Sequence, residues 1–199
     1  QSFALIADAT THTKMACGDR KAAARVAILD PELTLTQPAS VTAHTGIDAL
    51  THAIESAVTK SRTRISRAYS KLAFSLINDG FEAVIRDPSC LNSRAKVQLG
   101  AAYAGVAIEN SMLGAAHAAA NPLTAHCGVA HGQAVGVMIP HVIEFNSMDM
   151  EIRAIYETLY AGDLSRRVTD LIEMVGMYCL THSIRHDIPE LFGKKILRE

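Results

Sequence analysis

His117 stands in the run GAAHAAA, where no adjacent residue can pair its ring. A helix made of such small side chains lets its neighbours approach closely and buries what it carries. A buried polar group without a hydrogen-bond partner costs about 1–3 kcal/mol. The fold must therefore bring this imidazole a metal ion, a carboxylate or a substrate from elsewhere in the chain. Asp48 and His52, in TGIDALTHAIE, are four residues apart. On a helix they project from one face on successive turns. His131 follows a glycine-containing segment and precedes Gly132, which leaves room for a ligand. One carboxylate and three imidazoles converging between helices suit an intermediate divalent metal, Fe(II) or Zn(II), better than Mg(II) or Ca(II). Such an ion can act as a Lewis acid on a bound oxygen. The residues by themselves give a helical metal site and not a reaction.

Plainer readings compete at each position. An acid three residues after Thr45 fits a helix start capped by that threonine and favoured by the helix dipole. His52 alone fits a core or surface histidine. His126 is a reserve ligand in an exposed loop. His44 could join the face of Asp48, but Gly46 stands between them as a helix breaker. His141 reads as a packing or surface residue. Arg62, Arg64 and Arg67 could be mistaken for a phosphate site, but a solvated helix start explains them better.

The bulk numbers narrow the class. Of 199 residues, 49% are hydrophobic and 20% charged, which describes a packed globular chain. The net charge of −1 offers no basic surplus for nucleic acid or an anionic membrane. Cys17, Cys90, Cys127 and Cys179 form no CxxC pair, so zinc-finger and redox-motif readings fail and free thiols in a reducing cytoplasm are expected. The apolar start SFALIA lacks the basic flank of a signal peptide, and the apolar run 97–123 is broken by Glu109 and Asn110. Neither GxGxxG nor GxxxxGK[ST] occurs.

Taken in order, residues 1–30 read as two or three short strands, SFALIAD, HTKMACG and RVAILDP. From Pro38 the period becomes helical. Helices are expected over 45–58, over a stretch ending at Asp87-Pro88, over 95–108, 112–120, 131–145, 151–160 and 164–178. The second of these carries a stripe of Tyr69, Leu72, Leu76, Ile77 and Val84. Pro122 disfavours helix at Asn121, so 121–130 is expected to be a loop. The fold class is mainly α, an all-helical domain with a short N-terminal β arm.

At GIDALTHAIE, GAAHAAANPL and HGQAVGVMIPHVIEFN the chain resembles the iron-containing (group III) alcohol dehydrogenases of the dehydroquinate synthase-like superfamily. The resemblance runs from about Phe3 to Asn146 and includes the order Asp-x3-His then His-x13-His. It implies metal ligands at Asp48, His52, His117 and His131, with Fe(II) usual and Zn(II) in some members. It implies NAD or NADP in a cleft beside the helical domain, and hydride transfer between a small alcohol and its aldehyde or ketone. Lys14 falls near a family lysine that reaches the cofactor ribose. Asn121 occupies the position of a family histidine beside the nicotinamide, so proton relay is expected to differ. The resemblance divides the chain into a β-rich arm (1–36), the tail of a nucleotide-binding domain that would precede Gln1, and a helical metal-binding domain (37–199) truncated at its C-terminus. Alone, such a chain is expected to bind metal, bind NAD(P) poorly and turn over little. A cytoplasmic homodimer is implied, without nucleic-acid or membrane partners.

Alternatives from the residues are a stand-alone helical metal module or an inactive fragment. His186-Asp187 supplies the doublet of a His-Asp phosphohydrolase, but that pattern's final acid is missing. A di-iron bundle needs Glu-x2-His repeats, and His52-x2-Glu55 runs in the reverse order.

Overall fold

The computed structural model describes residues 2–8 and 14–176. Strands β1 (Phe3–Ala7) and β2 (Lys14–Gly18) form an antiparallel hairpin in which Phe3 faces Gly18 and Ala7 faces Lys14. Seven helices follow among the described residues: α1 (Ala39–Val58), α2 (Arg64–Arg86), α3 (Leu91–Glu109), α4 (Ala115–Cys127), α5 (His131–Asn146), α6 (Met150–Leu159) and α7 (Leu164–Met174). The mainly helical class with a short β arm is as expected.

The third expected strand does not form. Residues 24–30 lack a partner edge, and Val26 and Ile28 are 78% and 87% exposed. β-rich composition without a ladder to join does not make a strand. The segment ends in a short 3₁₀ turn, Pro31–Thr34, capped by Asp30. Gln98 Nε2 donates to the Asp30 carbonyl at 3.2 Å and ties this turn to α3.

Helix α1 is the central element. Ile47, Leu50, Ala53 and Ile54 are almost wholly buried, and α2, α3 and α5 pack around it. Burying each large apolar side chain of this kind contributes about 1.5–3 kcal/mol. The helix starts at Ala39, behind Pro38, with no side-chain cap. Thr45 is therefore interior, and its hydroxyl donates to the Val41 carbonyl at 2.8 Å. This corrects the expected start and removes the capping explanation for Asp48.

Helix α2 opens on a capping box formed by Thr63 and Ser66 and stops at Asp87, before Pro88. Its buried face is Ala73, Phe74, Ile77, Phe81 and Val84, while Leu72 is 51% exposed. Of the expected stripe Ile77 and Val84 are buried and Tyr69 and Leu76 half-buried; Leu72 alone faces solvent, and Ala73 and Gly80 share the inward face with the two phenylalanines.

Helix α4 runs through Pro122 to Cys127, so the expected loop at 121–130 is mostly helix. A proline removes its own N–H from the ladder and crowds the carbonyl four residues back, here that of Ala118, yet α4 continues to Cys127. What ends α4 is Gly128, whose φ of 66° continues into the left-handed region and whose N–H reaches the Leu123 carbonyl. No helix among the described residues is long and apolar enough to cross a membrane. His186-Asp187, Cys179 and the end of the expected last helix lie outside the described residues.

Candidate metal centre

Three helices supply the site. Helix α1 presents Asp48, His52 and Glu55 at positions i, i+4 and i+7, which share one face. His117 lies in the first turn of α4, and His131 opens α5. Gly132 sets the approach of α5: a Cβ there would lie 2.1 Å from the His44 carbonyl oxygen. Only a residue without a side chain lets α5 come this close to α1, and that contact brings His131 beside Asp48.

The rings gather on one oxygen. Asp48 Oδ1 lies 3.1 Å from His117 Nε2, 3.4 Å from His52 Nε2 and 3.8 Å from His131 Nε2. One ligand atom each from Asp48, His52 and His117 falls within 4.8 Å of the others. The His52 and His117 rings stack with centroids 4.7 Å apart, and the His117 and His131 rings are 5.5 Å apart. His117 is buried, whereas His52, Asp48 and His131 are partly open. The centre is closed on the α4 side and accessible on the other.

Glu55, only 2% exposed, accepts a hydrogen bond from His117 Nδ1 at 2.6 Å. The sequence offered no neighbour for this ring, and the partner comes from α1. Spacing could have found it, because Glu55 is seven residues beyond Asp48 on the same face.

This arrangement fits a cation. With Nδ1–H donated to Glu55, the His117 Nε2 lone pair faces a carboxylate oxygen of Asp48. A positive species must sit between them, either a proton or a metal ion. Without metal, a proton serves. Burial opposes the charge on His117, but hydrogen bonds to Asp48 and Glu55 outweigh it and raise the pKa to about 9. Burial pushes His52 down to about 4 despite the nearby Asp48 charge, so its ring is neutral at pH 7. Burial also opposes ionisation of Asp48, but the hydrogen bond from His117 and the neighbouring rings keep its carboxyl below the usual value. Two carboxylates, Asp48 and Glu55, match the charge of one divalent ion. Imidazole nitrogens are donors of the type that Fe(II) and Zn(II) accept.

Other candidates fall elsewhere. Asn121 is exposed on α4, one turn beyond His117. Lys14 is the first residue of β2, where its backbone pairs with Ala7. His126 and His141 are exposed, and His44 is not among the gathered ligands. Arg62 pairs with Glu151, and Arg64 and Arg67 lie on the exposed start of α2.

Residues 42–190 match the profile described as the Fe-containing alcohol dehydrogenase family, C-terminal. The NAD-dependent methanol dehydrogenase of Bacillus methanolicus is 36% identical over 145 residues, 73% of this chain and 38% of that protein. The NADPH-dependent butanol dehydrogenase of Clostridium saccharobutylicum is 32% identical over 179 residues, 87% of this chain and 45% of that protein. A solved 1,3-propanediol oxidoreductase superposes with a TM-score of 0.83 at 27% identity, over 96% of this chain and 54% of that one. The chain thus spans about half or less of the length of these relatives. With the profile matched over most of its length, the chain belongs to the Fe-containing alcohol dehydrogenase family and corresponds to its C-terminal, helical part.

Proposed function

We propose that Asp48, His52, His117 and His131 hold one divalent ion, Fe(II) by preference with Zn(II) as the substitute. In this reading they form the metal centre of an enzyme that moves hydride between NAD(P) and a small alcohol or aldehyde. The observation that carries it is the meeting of three imidazole nitrogens on Asp48 Oδ1, with His117 locked by Glu55. Membership of the family supports the reaction class. The relatives' names divide between NAD and NADPH, so the nicotinamide preference stays at NAD(P).

When bound, the ion supplies a Lewis acid for the oxygen of an alcohol or aldehyde. The side chains have distinct tasks. Asp48 provides the negative charge that holds the cation. His52 stays neutral at pH 7 and keeps a lone pair available. Glu55 accepts the hydrogen bond from His117 Nδ1–H and leaves Nε2 to face inward. The open side, toward His52 and His131, is where substrate enters. Asn121, one turn beyond His117, orients substrate or nicotinamide through its amide, which neither gives nor takes a proton near neutral pH. Lys14, on the β arm, is the residue assigned to the cofactor ribose. Residues 1–36 serve as the cofactor-side arm, and residues 37–199 as the helical metal-binding domain.

The reaction is tested by exchange. Residues 42–176 replace the matching segment of the 1,3-propanediol oxidoreductase, and NADH formation from 1-propanol is measured anaerobically with Fe(II). Metal-dependent NADH formation that Asp48→Ala abolishes is the expected result. A folded, metal-loaded chimera without turnover would oppose the dehydrogenase reading and favour a metal-binding module without that activity.

A further inference from the structure

Glu55 is the only buried acid among the described residues. A buried carboxylate is costly unless its lone pairs are met. Three donors from α4 meet it. The Gly114 N–H lies 3.1 Å from Oε2, the Ala116 N–H 2.6 Å from Oε1, and His117 Nδ1 2.6 Å from Oε2. Gly114 is the N-cap of α4 and has no side chain to cap it. Glu55, from a different helix, takes over that task, and the helix dipole favours an acid there.

Gly114 is part of the same device. Its φ of −116° and ψ of −152° are extended and open to any residue. Space is what selects glycine: a Cβ would lie 2.8 Å from Glu55 Oε1 and 3.2 Å from Cδ. The carboxylate reaches the amides of α4 only because nothing projects from this position.

We propose that Glu55 is a positioning residue that docks the first turn of α4 on α1 and, through the Nδ1–H of His117, turns Nε2 of that ring toward the metal. This rests on the metal reading above and adds a residue, with Gly114 as its clearance, that touches neither ion nor substrate. One carboxylate thereby couples the seating of a helix to the aim of a ligand carried on it.

Two substitutions separate the roles. Glu55→Gln keeps volume, but its amide turns an N–H toward either His117 Nδ1–H or a backbone N–H, so one donor faces another. Gly114→Ala keeps the carboxylate and crowds it. Far-UV circular dichroism reports folding. Affinity is read by chelator competition with Zn(II), and ligand geometry by the visible spectrum of the Co(II) form. The expected result is folded variants that bind Zn(II) about 10–100-fold more weakly, the usual cost of losing a partner behind a metal-binding histidine, with an altered Co(II) spectrum. The double variant binds no more weakly than Glu55→Gln alone, because Gly114 acts only through Glu55.

Folded variants with wild-type affinity and spectrum would overturn the proposal while leaving the metal site intact. Fully additive losses in the double variant would overturn the link to Gly114. Wild type that binds no Zn(II) or Co(II) would overturn both this proposal and the metal reading. Should Glu55→Gln fail to fold, Gly114→Ala decides alone: weakened binding supports the proposal and unchanged binding overturns it.

Discussion

The Nε2 atom of His117 lies 3.1 Å from Oδ1 of Asp48, although 69 residues separate them in the chain. Helix α1 supplies the carboxylate and α4 the ring, so the centre exists only when the two helices are seated against each other. Its integrity therefore reports the packing of the domain.

The close approach of α5 to α1 at Gly132 is the first place to disturb it. In Gly132→Ala the new Cβ meets the His44 carbonyl, which cannot move without bending α1. Overpacking of this kind costs about 1–3 kcal/mol. The substitution is expected to lower the unfolding free energy read from urea titration by that amount and to weaken metal binding, because His131 is the adjacent residue. Unchanged stability would show that α5 can slide away freely.

Acid and alkali should both destabilise the metal-free chain. His117 faces Asp48, His52 and Glu55 of α1 and His131 of α5. Its pKa is raised from 6.5 to about 9 in the folded state. The stability it contributes is complete below pH 6.5 and is lost as pH rises through about 9. His52 behaves oppositely, with a folded value of about 4 against 6.5. As pH falls from 6.5 to 4, the unfolded chain binds a proton that the folded chain refuses. Stability should peak near pH 6.5 and fall on each side by on the order of 3 kcal/mol at most. Urea unfolding of the metal-free chain across pH 4 to 9 checks this. Stability that climbs steadily from pH 6.5 to 9 would contradict it.

Restoring an imidazole at position 121 tests the proton path. In the chimera, Asn121→His is expected to raise kcat at pH 7 by about 100-fold, the lower end of the range for a positioned acid-base group. A turnover that stays level or drops would mean that protons leave by another route.

Much of the centre was legible in the chain because its ligands are chemically conspicuous. His117 among alanines demanded a partner, and the spacing of Asp48 and His52 made them one unit. Glu55 is legible as a third residue on the face of Asp48 and His52, seven beyond Asp48, but its pairing with His117 depends on how α4 seats on α1. The start of α1 was hidden because Pro38 offers no side-chain cap, and Thr45 mimics one from inside the helix. Helix α4 outlasted Pro122 because the signal that ends it is Gly128, six residues further on. The segment RVAILDP has the composition of a strand and lacks the partner edge that would make it one. In α2 the stripe holds at Ile77 and Val84, whereas Ala73 and Gly80 face inward and Leu72 does not, because small residues give no hydrophobic signal.

The central claim is that Asp48, His52, His117 and His131 bind one divalent ion together. Its most direct measurement is anaerobic titration of the folded chain with Fe(II), with elemental analysis of the product, for wild type, Asp48→Ala and His131→Ala. One equivalent of metal in wild type and its loss in both variants, with circular dichroism unchanged, is the expected result. Folded wild type without saturable binding, or variants that keep the full equivalent, would contradict it.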